Sequence, residues 1–309
     1  MCGILCVKTH NLISLESFLV ELNKLQHRGQ NSFGYFCKNK ENISYSYIPG
    51  LVKNYKDYIN LSGTMFLGHL RYVTSGGKES IVNQPVIGEN KFGRFCFVFN
   101  GNISVNEYNS MLNTNFSIDT LLIKYYFENC DNECETIEKL IESFITLFNR
   151  AYSIIFYLID LDTIYLFRDK YGVRPLQYFK GGDNIKIASE FSYNTNHVNA
   201  GEIMCIDNKN NIKSIYQHKG ITNTGNCLFE YIYFMNKDTY WNNINVGKIR
   251  EEYGKYLSKT EIKKITDNKK DYIVVGIPNS GIPSAKSYAS NLGITYKQLI
   301  VKNKNVDRT

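Results

Sequence analysis

Proline is scarce in this sequence, 5 in 309 residues, and there is a single tryptophan. Proline that sparse excludes collagen-like and polyproline architectures. No apolar run approaches the roughly 18–20 residues that a membrane-spanning helix needs, and the mean hydropathy is −0.31. The opening stretch MCGILCVKTHNLISLESF has no basic segment followed by a sustained apolar one, so no secretion signal is expected. Charge of one sign is not concentrated either: Lys and Arg number 36 against 29 Asp and Glu, a net charge of +7. The densest basic stretch, KTEIKKITDNKK (259–270), reads as a solvated helix and turn. Without a basic stripe interleaved with aromatics, nucleic acid is not an expected partner. The expectation is a cytoplasmic protein that does not associate with membranes.

What the sequence holds is ordinary for a folded chain, 43% hydrophobic and 21% charged. That balance excludes wholesale disorder and a coiled-coil rod. Its length suggests two domains, at roughly 100–200 residues each. Asparagine (36) and tyrosine (24) are abundant but evenly spread, with no prion-like tract. The cysteines at 2, 6, 37, 96, 130, 134, 205 and 227, with 5 scattered histidines, have no metal-ligand spacing. Most of these thiols are expected to be small buried hydrophobes. Cys2 is the exception.

Residues 1–220 read as strand-rich with a few helices. ESFLVELNKL (16–25) and ETIEKLIESFITLF (135–148) have helical spacing, the second with a stripe of Ile137, Leu140, Ile141, Phe144, Leu147 and Phe148. SIIFYLID and TIYLFRD, either side of Leu161-Asp162, predict a hairpin, and NIKIASE, EIMCID and NIKSIYQ predict further strands. The turn-rich HKGITNTGN (218–226) marks a change of character, with a boundary near 222. Beyond it, DYIVVGIP (271–278), SAKSYASNL (284–292) and ITYKQLIV (294–301) predict strand, helix and strand, a parallel βαβ unit.

Met1-Cys2-Gly3 places a thiol behind an initiator methionine that processing is expected to remove. Cys2 would then have a free α-amine, titrating near ~7.7–8.0 rather than near ~10.4 as a lysine does. One residue would supply both nucleophile and general base. Many proteins begin Met-Cys by chance, so the tripeptide needs company. LQHRGQNSFG (25–34), GHLRYVTSGG (68–77), FNGNIS (99–104), SIDTLL (117–122) and RDKYGVRPL (168–176) follow it in order. Singly each has a plainer reading. Asn100-Gly101 suits a hairpin turn, Asp119 suits a helix N-cap, and Arg168 with Asp169 suits a buried structural pair. His27, His69 and Trp241 read as core or supporting residues.

Together the motifs resemble the class II glutamine amidotransferases, whose nucleophile is the N-terminal cysteine. Within that class QHRGQ and RDKYGVRPL are similar to the amidophosphoribosyltransferases. CLFEYIYF (227–234), VGKIREEYG (246–254) and VVGIPNSGIPSA (274–285) resemble that family's passage into its phosphoribosyltransferase domain. The resemblance implies an α+β chain: a four-layer αββα N-terminal-nucleophile hydrolase fold over 2–222, then part of an α/β type I phosphoribosyltransferase domain over 223–309. It implies that Cys2 attacks the side-chain amide of glutamine, forming a thioester that water hydrolyses. Asn100 and Gly101 would donate to the oxyanion. Arg71 would clamp the α-carboxylate, with Thr74 adding a hydrogen bond, and Asp119 would accept from the α-ammonium. Arg28 would belong to the same site, as a substrate contact or as a brace for the nucleophile. Two departures stand out: Phe99 replaces the family's His before Asn-Gly, and where the family has Ser-Asp-Thr, Ile118 either intrudes or replaces the Ser.

In the second domain the resemblance implies that Asn279, Ser280 and Gly281 hold pyrophosphate at a helix N-terminus. Ser280 would lie near the Mg²⁺ carried by phosphoribosyl pyrophosphate, and an ordinary βα turn is the alternative. KNKNVDRT (302–309) stands where the family has Lys-Asn-Arg-Tyr-Val-Gly-Arg-Thr, with Asn305 and Asp307 replacing Tyr and Gly. The family's acidic pair and glycine-rich loop for ribose-5-phosphate are not among these residues, and the transferase half-reaction is not expected of them alone. No iron–sulfur cluster is expected, because Cys227 alone cannot hold one. The expected substrates are glutamine and phosphoribosyl pyrophosphate, giving 5-phosphoribosylamine in the first step of purine synthesis. A full-length form is expected to be a homo-oligomer. The alternatives are a glutaminase-only enzyme, another class II amidotransferase and a non-catalytic relic. GIPNSGIP speaks against another class II family, and the full set Cys2, Arg71, Asn100, Gly101 and Asp119 speaks against a relic.

Overall fold

Runs rich in β-branched and aromatic residues pair into two antiparallel sheets, and amphipathic helices cover their outer faces. The computed structural model describes residues 2–55, 60–72, 83–129, 134–219, 225–261 and 268–303. Its backbone forms two units, Met1–Ser189 with Asn196–Asn226, and Glu190–Thr195 with Cys227–Thr309.

In the first unit the chain runs β1 (Gly3–Ser14), α1 (Leu15–Asn23), β2 (Ser32–Asn39), β3 (Asn42–Pro49), β4 (Ser62–Arg71), β5 (Val86–Asn90) and β6 (Gly93–Gly101). Three helices follow, α2 (Val105–Leu112), α3 (Asp119–Glu128) and α4 (Ile137–Leu147). The remaining strands are β7 (Tyr152–Leu158), β8 (Thr163–Arg168), β9 (Gln177–Gly181), β10 (Asn184–Ala188), β11 (Asn196–His197), β12 (Glu202–Ile206) and β13 (Ile212–Gln217). The first sheet has the order β11-β9-β10-β1-β4-β2-β3 and the second β13-β12-β8-β7-β6-β5.

Side-chain alternation builds the layers. Ile4, Cys6, Met65 and Leu67 of the first sheet meet Cys96, Val98, Ile155, Leu166 and Met204 of the second in a buried interlayer. The opposite face of the first sheet receives α1, where Phe18 stacks on Phe66 with ring centroids 4.8 Å apart. The opposite face of the second receives α2, α3 and α4 around a phenylalanine cluster, with Phe127 centred 5.0 Å from Phe144 and 4.8 Å from Phe156. The result is helix, sheet, sheet, helix, the four-layer arrangement expected. With both faces covered, every residue of β7 is buried, which is why YSIIFYL reads as an unbroken apolar run.

The helical stripe of α4 packs as its spacing predicts, with Ile145 added to it. Thr136 caps the helix by accepting from the Lys139 N–H at 3.3 Å. Thr136→Ala is therefore expected to cost about 1 kcal/mol, read as a lowered urea midpoint with an unchanged slope. The predicted hairpin is β7–β8, with Asp162 in its turn at φ 49°. Of the thiols, Cys6, Cys37 and Cys96 are buried, whereas Cys2, Cys134, Cys205 and Cys227 are half-buried, so fewer are core residues than expected. Cys130 lies outside the described residues.

The second unit holds a short π-helical turn (Glu230–Phe234), β14 (Tyr240–Trp241), β15 (Ile244–Asn245), α5 (Val246–Glu261), β16 (Ile273–Val274), α6 (Ile282–Leu292) and β17 (Thr295–Tyr296). Trp241 packs with Met235 and Val246, as expected of it. The βαβ unit is present and parallel, pairing Ile273 with Thr295 and Val274 with Tyr296. Its strands are much shorter than the sequence runs, because a strand extends only as far as its hydrogen-bonded neighbour does. The second half of KTEIKKITDNKK falls partly on 262–267, and the proposed boundary on 222, both outside the described residues.

Candidate active site

The interlayer changes chemistry at one end. Lys8 donates to the Asp162 carbonyl at 2.9 Å and Lys38 to the Ile159 carbonyl at 2.9 Å, which fixes how the two sheets align. At the other end, the alternation that points Ile4 and Leu67 inward brings Cys2, His69 and Arg71 to the same face. On the second sheet it brings in Asn100 and Ser153, which sit directly opposite one another. The β1–β4 register pairs Gly3 with Leu70, so its next step sets Cys2 across from Arg71.

Contacts around Cys2 agree with that register. Its thiol donates to the Tyr72 carbonyl at 4.0 Å, and its own carbonyl accepts from Arg28 Nε at 3.0 Å. Arg28 is almost completely buried, so the backbone of Cys2 is tied to a charged anchor. The glycine of HRG has a steric reason, since a Cβ on Gly29 would lie 2.4 Å from the Leu70 carbonyl oxygen. Arg28 can pack against Cys2 only because Gly29 lets its loop press onto the Leu70–Arg71 backbone. His69 is buried with Nε2 lacking a partner in the protein, and burial beside Arg71 pushes it down to about 3. It is a neutral imidazole at physiological pH.

Asn100 is fully buried, and neither its Nδ2 nor its Oδ1 has a hydrogen-bond partner in the protein. Ser153 Oγ, opposite it, is likewise unpartnered. Buried polar groups are nearly always paired, so an orphaned amide on an interior face marks a place kept for a ligand. Gly101 ends β6 in a tight surround, where a Cβ would lie 2.7 Å from the Ala151 carbonyl oxygen and from the Phe99 ring. Phe99 itself faces the helix-side cluster, away from the interlayer. A polar ring there would be buried among phenylalanines, which accounts for phenylalanine at that position.

Asp119 is the first residue of α3 rather than its cap; Ile118, in extended conformation, occupies the cap position with no side-chain bond. With Ile118 at the cap, the Asp119 side chain is not spent on capping and turns inward. Its Oδ2 accepts from the Ile103 N–H at 3.2 Å and its Oδ1 from Thr120 Oγ1 at 3.3 Å. Burial raises its pKa, against those hydrogen bonds. It lines a hollow of about 450 Å³ with Asn102, Ser104, Asn106, Ser117 and Arg150. Gln84 also reaches this region: its Oε1 accepts from the Phe99 N–H at 2.6 Å and its Nε2 donates to Thr120 Oγ1 at 3.4 Å. Neither spacing nor composition marks Gln84 in the sequence. Thr74 lies outside the described residues.

Arg168 and Asp169 do structural work, as expected. Arg168 donates to the carbonyls of Arg174, Val198 and Gly172, while Asp169 accepts from the N–H groups of Tyr152, Tyr171 and Val173. They hold the RDKYGVRPL loop against β7.

In the second unit Asn279 and Ser280 form the turn into α6, and Gly281 caps it. The Gly281 N–H already donates to the Ile277 carbonyl at 3.1 Å. That removes one of the donors the loop was expected to offer a phosphate. A hard cation wants carboxylates, yet no Asp or Glu occurs between 272 and 303. Among the described residues no group of three or more His, Cys, Asp or Glu could hold a metal. Ser280 alone does not make a site for resident Mg²⁺. Among the described residues no helix is long and apolar enough to cross a membrane.

A family model described as a glutamine amidotransferase domain matches residues 56–256. The amidophosphoribosyltransferase of Methanocaldococcus jannaschii is 28% identical over 349 residues, covering 100% of this chain and 70% of that protein. That of Bacillus subtilis is 29% identical over 306 residues, covering 93% and 62%. The chain thus spans roughly two thirds of the relatives' length. Among solved structures, glutamine phosphoribosylpyrophosphate amidotransferase from B. subtilis, complexed with ADP and GMP, superposes with a TM-score of 0.80 at 24% identity, over 99% of this chain and 68% of that one. A structure described as the allosteric regulatory enzyme of purine biosynthesis gives 0.83 at 25%, over 100% and 67%. These superpositions bear out the N-terminal-nucleophile hydrolase fold. With the family model covering most of its residues and the fold and motifs in agreement, this chain belongs to the glutamine amidotransferase domain family.

Proposed function

We propose that this chain hydrolyses glutamine to glutamate and ammonia at Cys2, as the ammonia-producing part of an amidophosphoribosyltransferase. The observation that carries the reading is the buried, unpartnered Asn100 amide at the same end of the interlayer as Cys2.

With Met1 removed, the Cys2 amine takes the thiol proton and the sulfur attacks the glutamine amide carbon. Asn100 Nδ2 and the Gly101 N–H receive the developing oxyanion, already in place and shielded from bulk water. The proton held by the amine passes to the leaving nitrogen, and ammonia departs from a thioester. Water then adds to the thioester carbon, giving up a proton to the amine, and glutamate leaves as the thiol is restored. Arg28 keeps the Cys2 carbonyl still through these steps. Arg71 pairs with the substrate's α-carboxylate and Asp119 with its α-ammonium. The relatives' names supply the acceptor, phosphoribosyl pyrophosphate, and so the product 5-phosphoribosylamine. Any Mg²⁺ would arrive bound to that substrate's phosphates.

The test is the split between kcat and KM. Arg71→Ala and Asp119→Asn should each lower kcat/KM for glutamine by about 10²-fold, mainly through KM, since each removes a charge-assisted contact. Because burial raises the Asp119 pKa, the wild-type kcat/KM should fall as pH drops through that raised pKa. Asp119→Asn should lose that limb and keep the separate one set by protonation of the Cys2 amine. Unchanged KM in both variants would refute the assignment of the two α-groups.

A further inference from the structure

The Asn-Gly segment is enclosed by a ring of hydrogen bonds whose members come from three separate parts of the chain. Starting on β6, the Phe99 N–H donates to Gln84 Oε1 at 2.6 Å. Gln84 Nε2 donates to Thr120 Oγ1 at 3.4 Å, and Thr120 Oγ1 donates to Asp119 Oδ1 at 3.3 Å. Asp119 Oδ2 then accepts from the Ile103 N–H at 3.2 Å, only four residues beyond Phe99. The ring closes through the backbone of Asn100, Gly101 and Asn102. Gln84, Thr120 and Asp119 are all buried, at 6%, 5% and 9% exposure.

Direction matters in this ring. An amide has an acceptor at one end and donors at the other, and Gln84 uses one of each. The Thr120 hydroxyl is thereby an acceptor from Gln84 and is left with its single proton to give to Asp119. That proton stabilises the ionised form of a carboxylate that burial otherwise disfavours. A carboxylate at position 84 could still accept from Phe99, but it would draw the Thr120 proton to itself and leave Asp119 without it.

We propose that Gln84, acting through Thr120, is a positioning residue that makes the oxyanion segment and the Asp119 ammonium contact one rigid unit. This rests on the reading of Asn100 and Asp119 given above. A substrate whose α-ammonium is correctly seated on Asp119 thereby has its side-chain amide registered against Asn100, and neither end can shift alone. The unit makes hydrolysis selective for the free amino acid over amides lacking an α-ammonium.

Among the described residues, the charged group that lines the hollow with Asp119 is Arg150, which is ion-paired with Glu107 of α2. Both remain in every variant below. Glutamine hydrolysis should be followed from pH 5 to 9 in wild type and in Gln84→Glu, Gln84→Leu, Thr120→Val and Thr120→Ser, with thermal midpoints measured alongside. Gln84→Leu and Thr120→Val are expected to lower kcat/KM by roughly 10- to 100-fold, whereas Thr120→Ser, which keeps the hydroxyl, should stay within about 3-fold of wild type. Gln84→Glu, nearly the same shape, should leave in place the limb of kcat/KM set by the Cys2 amine. It should move to higher pH the limb that Asp119→Asn removes, because a second carboxylate disfavours ionised Asp119. A merely structural Gln84 would lower the thermal midpoint without moving that limb. The proposal is overturned if Thr120→Val matches Thr120→Ser, or if the limb stays put in Gln84→Glu. Should Asp119→Asn leave both KM and the limb untouched, the fault lies in the Asp119 assignment itself.

Discussion

Cys2→Ala is expected to abolish glutamine hydrolysis, lowering the rate on the order of 10⁴-fold or more, because the covalent route disappears with the sulfur. The fold should be unaffected. Cys2 precedes the first ladder pair of β1 and is half-buried, so losing Sγ removes no core contact and leaves no enclosed cavity. An electrophilic glutamine analogue should add its mass to the Cys2 peptide alone. Cys6, Cys37 and Cys96 are protected by their surroundings: burial pushes Cys37 up to about 12 and raises Cys6 and Cys96 well above the ordinary thiol value. They stay protonated and closed to reagents at physiological pH. Labelling of Cys37 or Cys96 with Cys2 unmodified would remove Cys2 as the nucleophile.

The second large effect is expected at Asn100. Asn100→Ala should lower kcat by about 10²- to 10³-fold, the usual consequence of losing one preorganised oxyanion donor. Its effect on stability should run the other way. A buried amide without partners costs about 1–3 kcal/mol, and alanine lifts that cost while opening only a small cavity. Unfolding should therefore show an unchanged or raised midpoint, a trade of stability for activity common at catalytic positions. If Asn100→Ala instead loses several kcal/mol of stability and keeps its kcat, the amide is part of the core and the oxyanion assignment fails.

The Asn279–Gly281 turn has the expected place before α6, but its Gly281 N–H is already engaged and the chain has no Asp or Glu between 272 and 303.

The sequence by itself determined the chemistry and the layers. A cysteine behind Met1, a fork-shaped arginine, an Asn-Gly pair and a carboxylate, in that order, imply a reaction through their joint resemblance to the class II glutamine amidotransferases. Period-two and period-3.6 patterns named the strands and the helices α1, α4 and α6, since burial of one face is a local property of a segment. Tertiary structure decided what depends on residues distant in the chain. It decided that Asn100 has no partner, because a partner is a matter of what the facing strand brings, and β7 brings only Ser153. It turned Phe99 toward the helices and Asn100 toward the interlayer, one residue apart, and so made Phe99 harmless to the site. It decided that β16 and β17 are short, because strand length is set by the neighbour. Above all it joined Gln84 to Phe99 and Thr120 across 15 and 36 residues. A lone glutamine before Pro85 carries no periodic signal, and its hydrogen-bond partners exist only once β6 and α3 are packed together.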